Sequence, residues 1–528
     1  MKKLFLISAM LLIAASVVVF QRPAAQVPVS YIPKAELCVD GSNVLCSKVP
    51  AYISPDKPLM VSGTGYKGLF APPPTSKDND VETPFDNMAW QMFIALNWAA
   101  SEVNQPASQG LKAPGRRVFQ NYRKVSALFG SDKIAACPQL VVVPRYYIGS
   151  DGLGNPRPRN EEYFQASTNL PLIDINGNWT IFERRVNDVE AQYLMAPNGQ
   201  PSQTLTTMTG QENFIRSNPQ GAQFTASTAV QCGALGSIEI KTAWRIIDRN
   251  AGDDPTRYFT QLAMIGVPAD LVNGRQQFCT NVTLGLVGMH IIQRNPDDSN
   301  NPQLKPRWIW ATFEHMDNAP MAQSPCSVGN ANASDCTNWL NKATCGPAAP
   351  VSGVRYSYFR QNSGIQGTNI RPKPLGLLGQ PTKFPWNRTQ PYAKGNTTPE
   401  TAMPQATRCY SIYKTTDQIN QQWQAALKSV NTPFQYYMLV GTQWGAAVEP
   451  EEGQKLPSDA VPAMLSNITL ETYIQLYTQS TTDGGPGSCV GCHSFAKLPA
   501  GSKPTADFSF LPSLANSKTA RNLFATPK

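Results

Sequence analysis

The chain is poor in charge. Of its 528 residues only 15% are Asp, Glu, Lys or Arg, against about 25% in an average soluble protein, so its polarity rests on uncharged Asn, Gln, Ser and Thr. It has no Lys/Arg-rich run of the kind that tracks phosphates, which argues against nucleic acid as a partner. The formal excess is +9, or +6 once Lys2, Lys3 and Arg22 leave with an export signal. So modest and scattered an excess supports no more than a weak preference for acidic partners or membrane surfaces. Histidine is scarcer still: three residues, His290, His315 and His493, leave little from which to build a histidine metal cage. Beyond the N-terminus no apolar run approaches the ~18 residues of a membrane span. No repeat at a 20–50-residue period stands out, which sets aside propellers and solenoids.

Other counts are high. The 45 Pro and 37 Gly punctuate the chain and disfavour long coiled coils, helical repeats and an idealised α/β barrel. At 41% hydrophobic the chain can still bury a core. The expected class is α+β: a β-rich body, as a sheet or a sandwich, followed by a short helical C-terminal segment. Eleven cysteines is an odd number, so they cannot all pair within one chain.

The N-terminus reads Met1-Lys2-Lys3, then runs uncharged from Leu4 to Phe20, then Gln21-Arg22-Pro23-Ala24-Ala25. This is an export signal covering residues 1–25; the alternative is an uncleaved anchor, the one route by which this chain would meet a membrane. Export makes the expected compartment oxidising, periplasmic or otherwise outside the cytoplasm, and disulfides persist there. Cys38 and Cys46 are spaced for a small loop, and Cys326, Cys336 and Cys345 cluster as further staples whose pairing spacing does not settle.

Residues 26–83 are rich in Pro, Gly and Ser and read as an arm over the body. The body spans 84–460. It opens with an amphipathic helix carrying Trp90, Phe93, Ile94, Asn97 and Trp98, for which Asp86 or Asn87 is the candidate cap. Strands are expected at Leu140-Val141-Val142-Val143, in a hairpin around Asn176-Gly177, and over 237–247, 258–266, 282–292 and 307–313. A Pro/Gly/Thr-rich excursion over 346–410 admits no long regular element. A helix near 417–428 and a strand at 434–440 close the body, and the last segment, 461–528, shows one helix at 470–477.

That last segment holds Ser488-Cys489-Val490-Gly491-Cys492-His493. C-x-x-C-H is the c-type haem attachment pattern, in which two thiols bond the porphyrin's vinyl groups and the adjacent histidine binds the iron from the proximal side. With this chain's cysteine and histidine content an accidental match has a chance of about one in a thousand. The competing readings fit less well. A redox dithiol wants a thioredoxin-like βαβ context, which Gly484-Gly485-Pro486-Gly487 does not supply, and half a zinc site lacks its second pair of ligands.

Further stretches carry a resemblance: Phe93-Ile94-Ala95-Leu96-Asn97-Trp98, Gly285-Leu286-Val287-Gly288-Met289-His290, Trp310-Ala311-Thr312-Phe313-Glu314-His315-Met316-Asp317-Asn318 and Leu470-Glu471-Thr472-Tyr473. With the C-x-x-C-H motif they resemble a family of exported bacterial proteins of about this size that end in one haem-c motif, the cytochrome c family proteins. The resemblance spans most of the mature chain. It implies one covalent haem c held by Cys489, Cys492 and His493 and an extracytoplasmic location, and it implies no substrate.

Thirty-five residues follow His493, none of them Met or His, so a Met or His sixth ligand to the iron must come from upstream. The short segment cannot enclose a haem by itself, which puts the haem between it and the β-rich body. Upstream candidates are His290 and His315, then Met289, Met316, Met438 and Met464. If Arg294 and Arg307 pair across one hairpin, the two histidines stand about five residues apart along the strands, ~17 Å, so at most one reaches the iron. The polar surroundings Glu314 and Asp317-Asn318 favour His315, as distal ligand or acid–base group. Trp308 and Trp310 read as packing residues or an electron path, and Lys518 and Arg521 as solvated charges or partners of the haem propionates. The expected function is electron transfer to a redox partner protein in the periplasm. The alternative is a peroxidase- or oxygenase-like haem enzyme with an open sixth position and His315 or His290 as its acid–base group.

Overall fold

A computed structural model describes residues 82–102, 110–129, 145–150, 156–158, 165, 171–226, 236–267, 278–294, 308–327, 345–364, 367–370, 373–374, 385–386, 405–443, 464–475, 488–501 and 505–515. The export signal, nearly all of the arm, the strand expected at 140–143, Cys38, Cys46, Cys336, Lys518 and Arg521 lie outside these residues. Among the described residues no helix is long and apolar enough to cross a membrane.

One nine-stranded, largely antiparallel sheet organises the chain. Its strands are β1 (Arg123–Lys124), β2 (Arg145–Ser150), β3 (Pro156–Pro158), β4 (Ile181–Val186), β5 (Ile238–Ile246), β6 (Thr260–Val267), β7 (Phe278–Arg294), β8 (Trp308–His315) and, late in the chain, β14 (Tyr437–Gln443). The architecture is therefore α+β around a single sheet. Four of the strands read from the sequence recur within a few residues of their expected limits, as β5, β6, β7 and β8.

The 17-residue β7 is the spine. β5 runs along one side of it, while the other side pairs first with β6, up to Gly285, and then with β8, from Gly288. From Leu284 to Arg294 its side chains are buried on both faces, in keeping with the nearly unbroken apolar reading there. At the start of β5 charged residues alternate with apolar ones, as Ile238-Glu239-Ile240-Lys241 shows, while β4 carries the charged run Glu183-Arg184-Arg185.

The hairpin before β4 forms around Asn176-Gly177: Ile173 bridges Trp179, Gly177 takes a left-handed φ of +85°, and Asp174 Oδ1 accepts from the amides of Asn176 and Asn178. Its second arm runs on into β4. The strand expected at 434–440 begins three residues late, because residues 433–436 form a 3₁₀ turn first.

Helix α1 (Glu82–Leu96) and the later helix Lys414–Ser429 cover one face of the sheet. Trp90 stacks on Trp423 of the later helix at 5.8 Å, and Phe93 stacks on Phe313 of β8 at 4.2 Å. Neither Asp86 nor Asn87 caps α1, since the helix starts at Glu82. Asp86 is wholly buried and accepts from Thr416 Oγ1 (2.6 Å) and Thr442 Oγ1 (2.9 Å), so tertiary hydroxyls take the place of backbone amides as its partners.

The other face carries α2 (Val125–Leu128), α3 (Asp188–Met195), α4 (Met208–Ser217) and the C-terminal segment. A separate apolar cluster fills this side, built from Val186, Leu194, Phe214, Trp308, Trp310, Val490 and Phe508. With the later helix Lys414–Ser429 as α5, the motif helix Cys489–His493 is α6. Of the helix expected at 470–477, the described residues 470–475 form turns and a bend. The Asn467 amide donates to Thr312 Oγ1 and the Phe313 carbonyl while its Oδ1 accepts from Thr469, and these links to the sheet displace a helical ladder.

A small three-stranded sheet, β9 (Met321–Ser327), β10 (Ala348–Ala349) and β13 (Arg408–Ser411), flanks the body, and β11 (Lys373–Pro374) pairs with β12 (Pro385–Trp386). Cys345 pairs with Cys409, 64 residues on, across the Pro/Gly-rich excursion. The staple thus reaches outside the 326–345 cluster, because pairing Met321 with Arg408 brings distant chain together. Cys326 and Cys279 are also disulfide-bonded.

Candidate functional site

The C-x-x-C-H residues form the five-residue helix α6. Ser488 caps it: its Oγ accepts from the Gly491 amide at 3.2 Å and donates to Gln443 Oε1 at 3.2 Å. The same Gln443 oxygen accepts from the Val490 amide at 2.9 Å, so the end of β14 holds the helix start. Val490 points into the apolar cluster with Trp308 and Trp310. Spacings of three and four then put Cys489, Cys492 and His493 on one side of the turn, where all three line a cleft.

Neither cysteine is in a disulfide. Burial, and then the nearby Glu471 carboxylate, push the Cys489 thiol well above its ordinary value. A disulfide oxidoreductase lowers the pKa of its attacking thiol, so the dithiol reading loses ground.

His493 Nδ1 lies 2.6 Å from the carbonyl oxygen of Phe508. A carbonyl only accepts, so Nδ1 carries the proton and Nε2 keeps its lone pair. Burial holds the ring neutral, with its pKa lowered to about 4. A neutral imidazole oriented through its other nitrogen by a backbone carbonyl is the usual condition of a metal-ligating histidine. The carbonyl is aimed by a strained turn: Asp507 and Phe508 have φ of +47° and +65°, each costing about 1–3 kcal/mol for a non-glycine residue. Asp507 is anchored by Arg294 Nε at 3.0 Å and the Phe224 amide at 2.8 Å. The rings of Trp310 and Phe510 flank His493 at 5.7 and 5.1 Å.

The opposite wall is the sheet. Arg184, Glu239, Lys241, His290, Ile292 and Trp310 line the cleft from β4, β5, β7 and β8, and Leu465, Glu471 and Ile474 close it from the turn segment. The turn can approach because β7 has glycine at 288: a Cβ there would lie 2.1 Å from Thr469 Oγ1. The space between these walls, open solvent included, is about 1080 Å³. The paired thiols and the oriented imidazole fit a covalently attached haem. When bound, it supplies a one-electron iron centre.

Register decides between the other two histidines. Arg294 pairs with Trp308, so His290 stands opposite Thr312 and His315 is three residues beyond, in place of the expected five. His290 faces the cleft, its Nε2 3.3 Å from Glu471 Oε2. Burial alone would raise Glu471, but His290 and, less strongly, Lys241 outweigh it and hold the carboxyl below its ordinary range.

His315, favoured on sequence, lies on the other face. It is fully buried and stacks on Tyr258 at 4.1 Å, and both ring nitrogens are engaged: Nε2 donates to the Arg257 carbonyl at 2.9 Å and Nδ1 accepts from the Asp317 amide at 3.1 Å. Burial lowers its pKa to about 4. The polar neighbours that recommended it serve structure instead, with Glu314 pairing Arg408 at 2.8 Å and Asp317 pairing Arg257 at 2.6 Å. No methionine lines the cleft among the described residues. Met289 lies under α1, where its sulfur accepts from Asn97 Nδ2 at 3.7 Å.

Sequence reasoning missed Arg184, Glu239, Lys241 and Glu471. The alternation of charged and apolar residues at the start of β5 was the available signal for Glu239 and Lys241, but alternation also describes a solvated sheet face. The chain matches no protein-family model, no curated protein and no solved structure, so its functional reading rests on this geometry.

Proposed function

We propose that this chain is an exported c-type haem protein that holds one haem through Cys489 and Cys492 and passes single electrons to a redox partner protein in the periplasm. The observation that carries the reading is the His493–Phe508 hydrogen bond, which leaves Nε2 as the nitrogen available to an iron, one residue from Cys492 and beside the cleft. His290 is the candidate for the iron's other side, steadied by Glu471. The apolar surroundings of Ile292, Trp310, Leu465 and Leu511 limit water at the site and help set the potential. The Cys345–Cys409 bond supports an oxidising compartment.

A second reading draws on the same His290–Glu471 pair. An imidazole with a carboxylate behind it is an acid–base group wherever the iron's sixth position is open to a small ligand. The two readings separate in one experiment on the purified protein. A covalent haem is expected, seen as a reduced pyridine haemochrome that survives acid–acetone extraction; a haem that extracts, or none, overturns both readings. A low-spin ferrous spectrum unchanged by carbon monoxide supports the relay, and a high-spin form that binds it supports the enzyme.

A further inference from the structure

At the sheet wall of the cleft lies a pair of acids that the haem-binding reading leaves unused. Glu239 lines the cleft from β5, and Glu190 sits in the first turn of α3, wholly buried. Asn187 Oδ1 accepts from both the Glu190 amide (3.0 Å) and the Ile238 amide (3.2 Å), which ties the start of α3 to β5 and brings the two carboxyl groups together. No donor from the described chain reaches either carboxyl oxygen of Glu190, or Oε1 of Glu239. Ser509 serves Glu239 from the C-terminal segment.

The charges around the pair are accounted for on every packed element. Arg184 on β4 faces Glu239, and Lys241 follows on β5. Asp507, from the C-terminal segment, acts on both carboxyls and is itself ion-paired to Arg294 of β7 at 3.0 Å. On α3, Asp188 is paired with Arg123 at 2.8 Å, and the Tyr193 hydroxyl accepts from the Gln223 amide. Two carboxylates brought together, one wholly buried and the other at the cleft wall, resist both being charged, so they share a proton. Both accordingly sit above the ordinary carboxylate range, Glu190 through burial and then the Glu239 charge, Glu239 through burial.

We propose that the Glu190–Glu239 pair is a proton site coupled to the electron: as the haem held in the cleft gains one electron, the pair gains one proton, and it gives the proton back on oxidation. The electron comes from a one-electron donor protein and the proton from solvent. The pair passes from singly protonated, with one negative charge, to doubly protonated and neutral, and one O–H bond is all that forms. Added negative charge at the cleft acts on the pair across a low-dielectric interior, where Coulomb interactions are strong. The chain thus moves a proton with the electron. This inference rests on the haem reading.

The test is a potentiometric titration of the holoprotein from pH 5 to 9, beside Glu190→Gln and Glu239→Gln. The reduction equilibrium is expected to fall tenfold per pH unit over part of that range, about 59 mV for a one-electron couple, and both variants are expected to lose the slope. The reduced-minus-oxidised infrared spectrum is expected to gain a protonated-carboxyl band that both variants lack; it provides a second readout on the unaltered chain if a variant does not fold. A slope that persists in both variants, or a carboxyl region unchanged on reduction, overturns the proposal. Absence of a covalent haem, seen in the haemochrome spectrum before any titration, is the failure of the haem reading and takes this inference with it.

Discussion

His290 and His315 lie on adjacent strands and opposite faces of one sheet. His290 pairs with Thr312, and His315 follows three residues later on β8. Side chains alternate along a strand with a period of two, so an odd offset sends the two imidazoles to different layers: His290 to the cleft and His315 to the aromatic layer of Tyr258 and Tyr437.

Substituting the two histidines should therefore give opposite results. His290→Ala is expected to alter the ferric and ferrous spectra and to make the ferrous protein bind carbon monoxide. His315→Ala should leave the spectra alone and lower stability by about 1–3 kcal/mol, since it strands the Arg257 carbonyl and the Asp317 amide. Absorbance spectra and denaturant melts of the two variants check both halves.

Haem retention should follow the two thiols. With Cys489→Ala or Cys492→Ala one thioether is lost, and with both replaced the haem should come away in acidified acetone while His493 still offers its Nε2. Haem staining after denaturing electrophoresis reads the result: signal in the unaltered chain, none in the double variant.

Asp86 gives a stability profile with a definite sign. Burial raises its pKa from 3.8 to about 7, against the opposing pull of the Thr416 and Thr442 hydroxyls. Between about pH 4 and pH 7 the unfolded chain has released this proton while the native one retains it. Native stability therefore falls as pH rises through that window, by roughly 1.4 kcal/mol for each pH unit, and levels off above it. Asp86→Asn, which keeps the shape and cannot ionise, should remove that slope from denaturant midpoints measured at pH 4.5 and 7.5.

Arg245 holds two acids at the centre of the body, Asp174 at 2.9 Å and Asp253 at 2.8 Å, with all three side chains buried. Arg245→Met leaves both carboxylates buried without that cation, a loss of about 3–5 kcal/mol. Adding Asp174→Asn and Asp253→Asn should recover part of it. Unfolding free energies of the single and triple variants make the comparison.

Gly288 sets how closely the 466–472 turn approaches β7. Gly288→Ala places a methyl group 2.1 Å from Thr469 Oγ1, so the turn must move outward, with overpacking costing about 1–3 kcal/mol. Because Glu471 is carried on that turn, its contact with His290 should loosen as well. A lower melting temperature together with a shifted His290 ring resonance would show the two effects at once.

Much of the local structure was legible in the sequence. β5, β6, β7, β8, α1 and α5 all carry their period within a dozen or so contiguous residues, and Asn176-Gly177 names its own turn. Element starts were less legible: α1 begins before Asp86, and β14 begins after a 3₁₀ turn. These depend on what a side chain meets far along the chain, as Asp86 meets Thr416 and Thr442. The 470–477 helix failed for the same reason, since Asn467 is bonded to β8.

The sequence by itself determined the scarcity of candidate ligands and the C-x-x-C-H spacing, because a helical turn brings residues three and four apart together whatever the rest of the fold does. It also determined the β-rich core. Tertiary structure alone decided which face each strand shows to the C-terminal segment, and with it the choice of His290 over His315 as the residue opposite His493. The physical reason is that one residue of register reverses a strand's faces. That register is set by pairings such as Arg294 with Trp308, between residues that no local pattern links. The same holds for Cys345 with Cys409 and for Glu190 with Glu239, each a meeting of segments that only the tertiary fold makes neighbours.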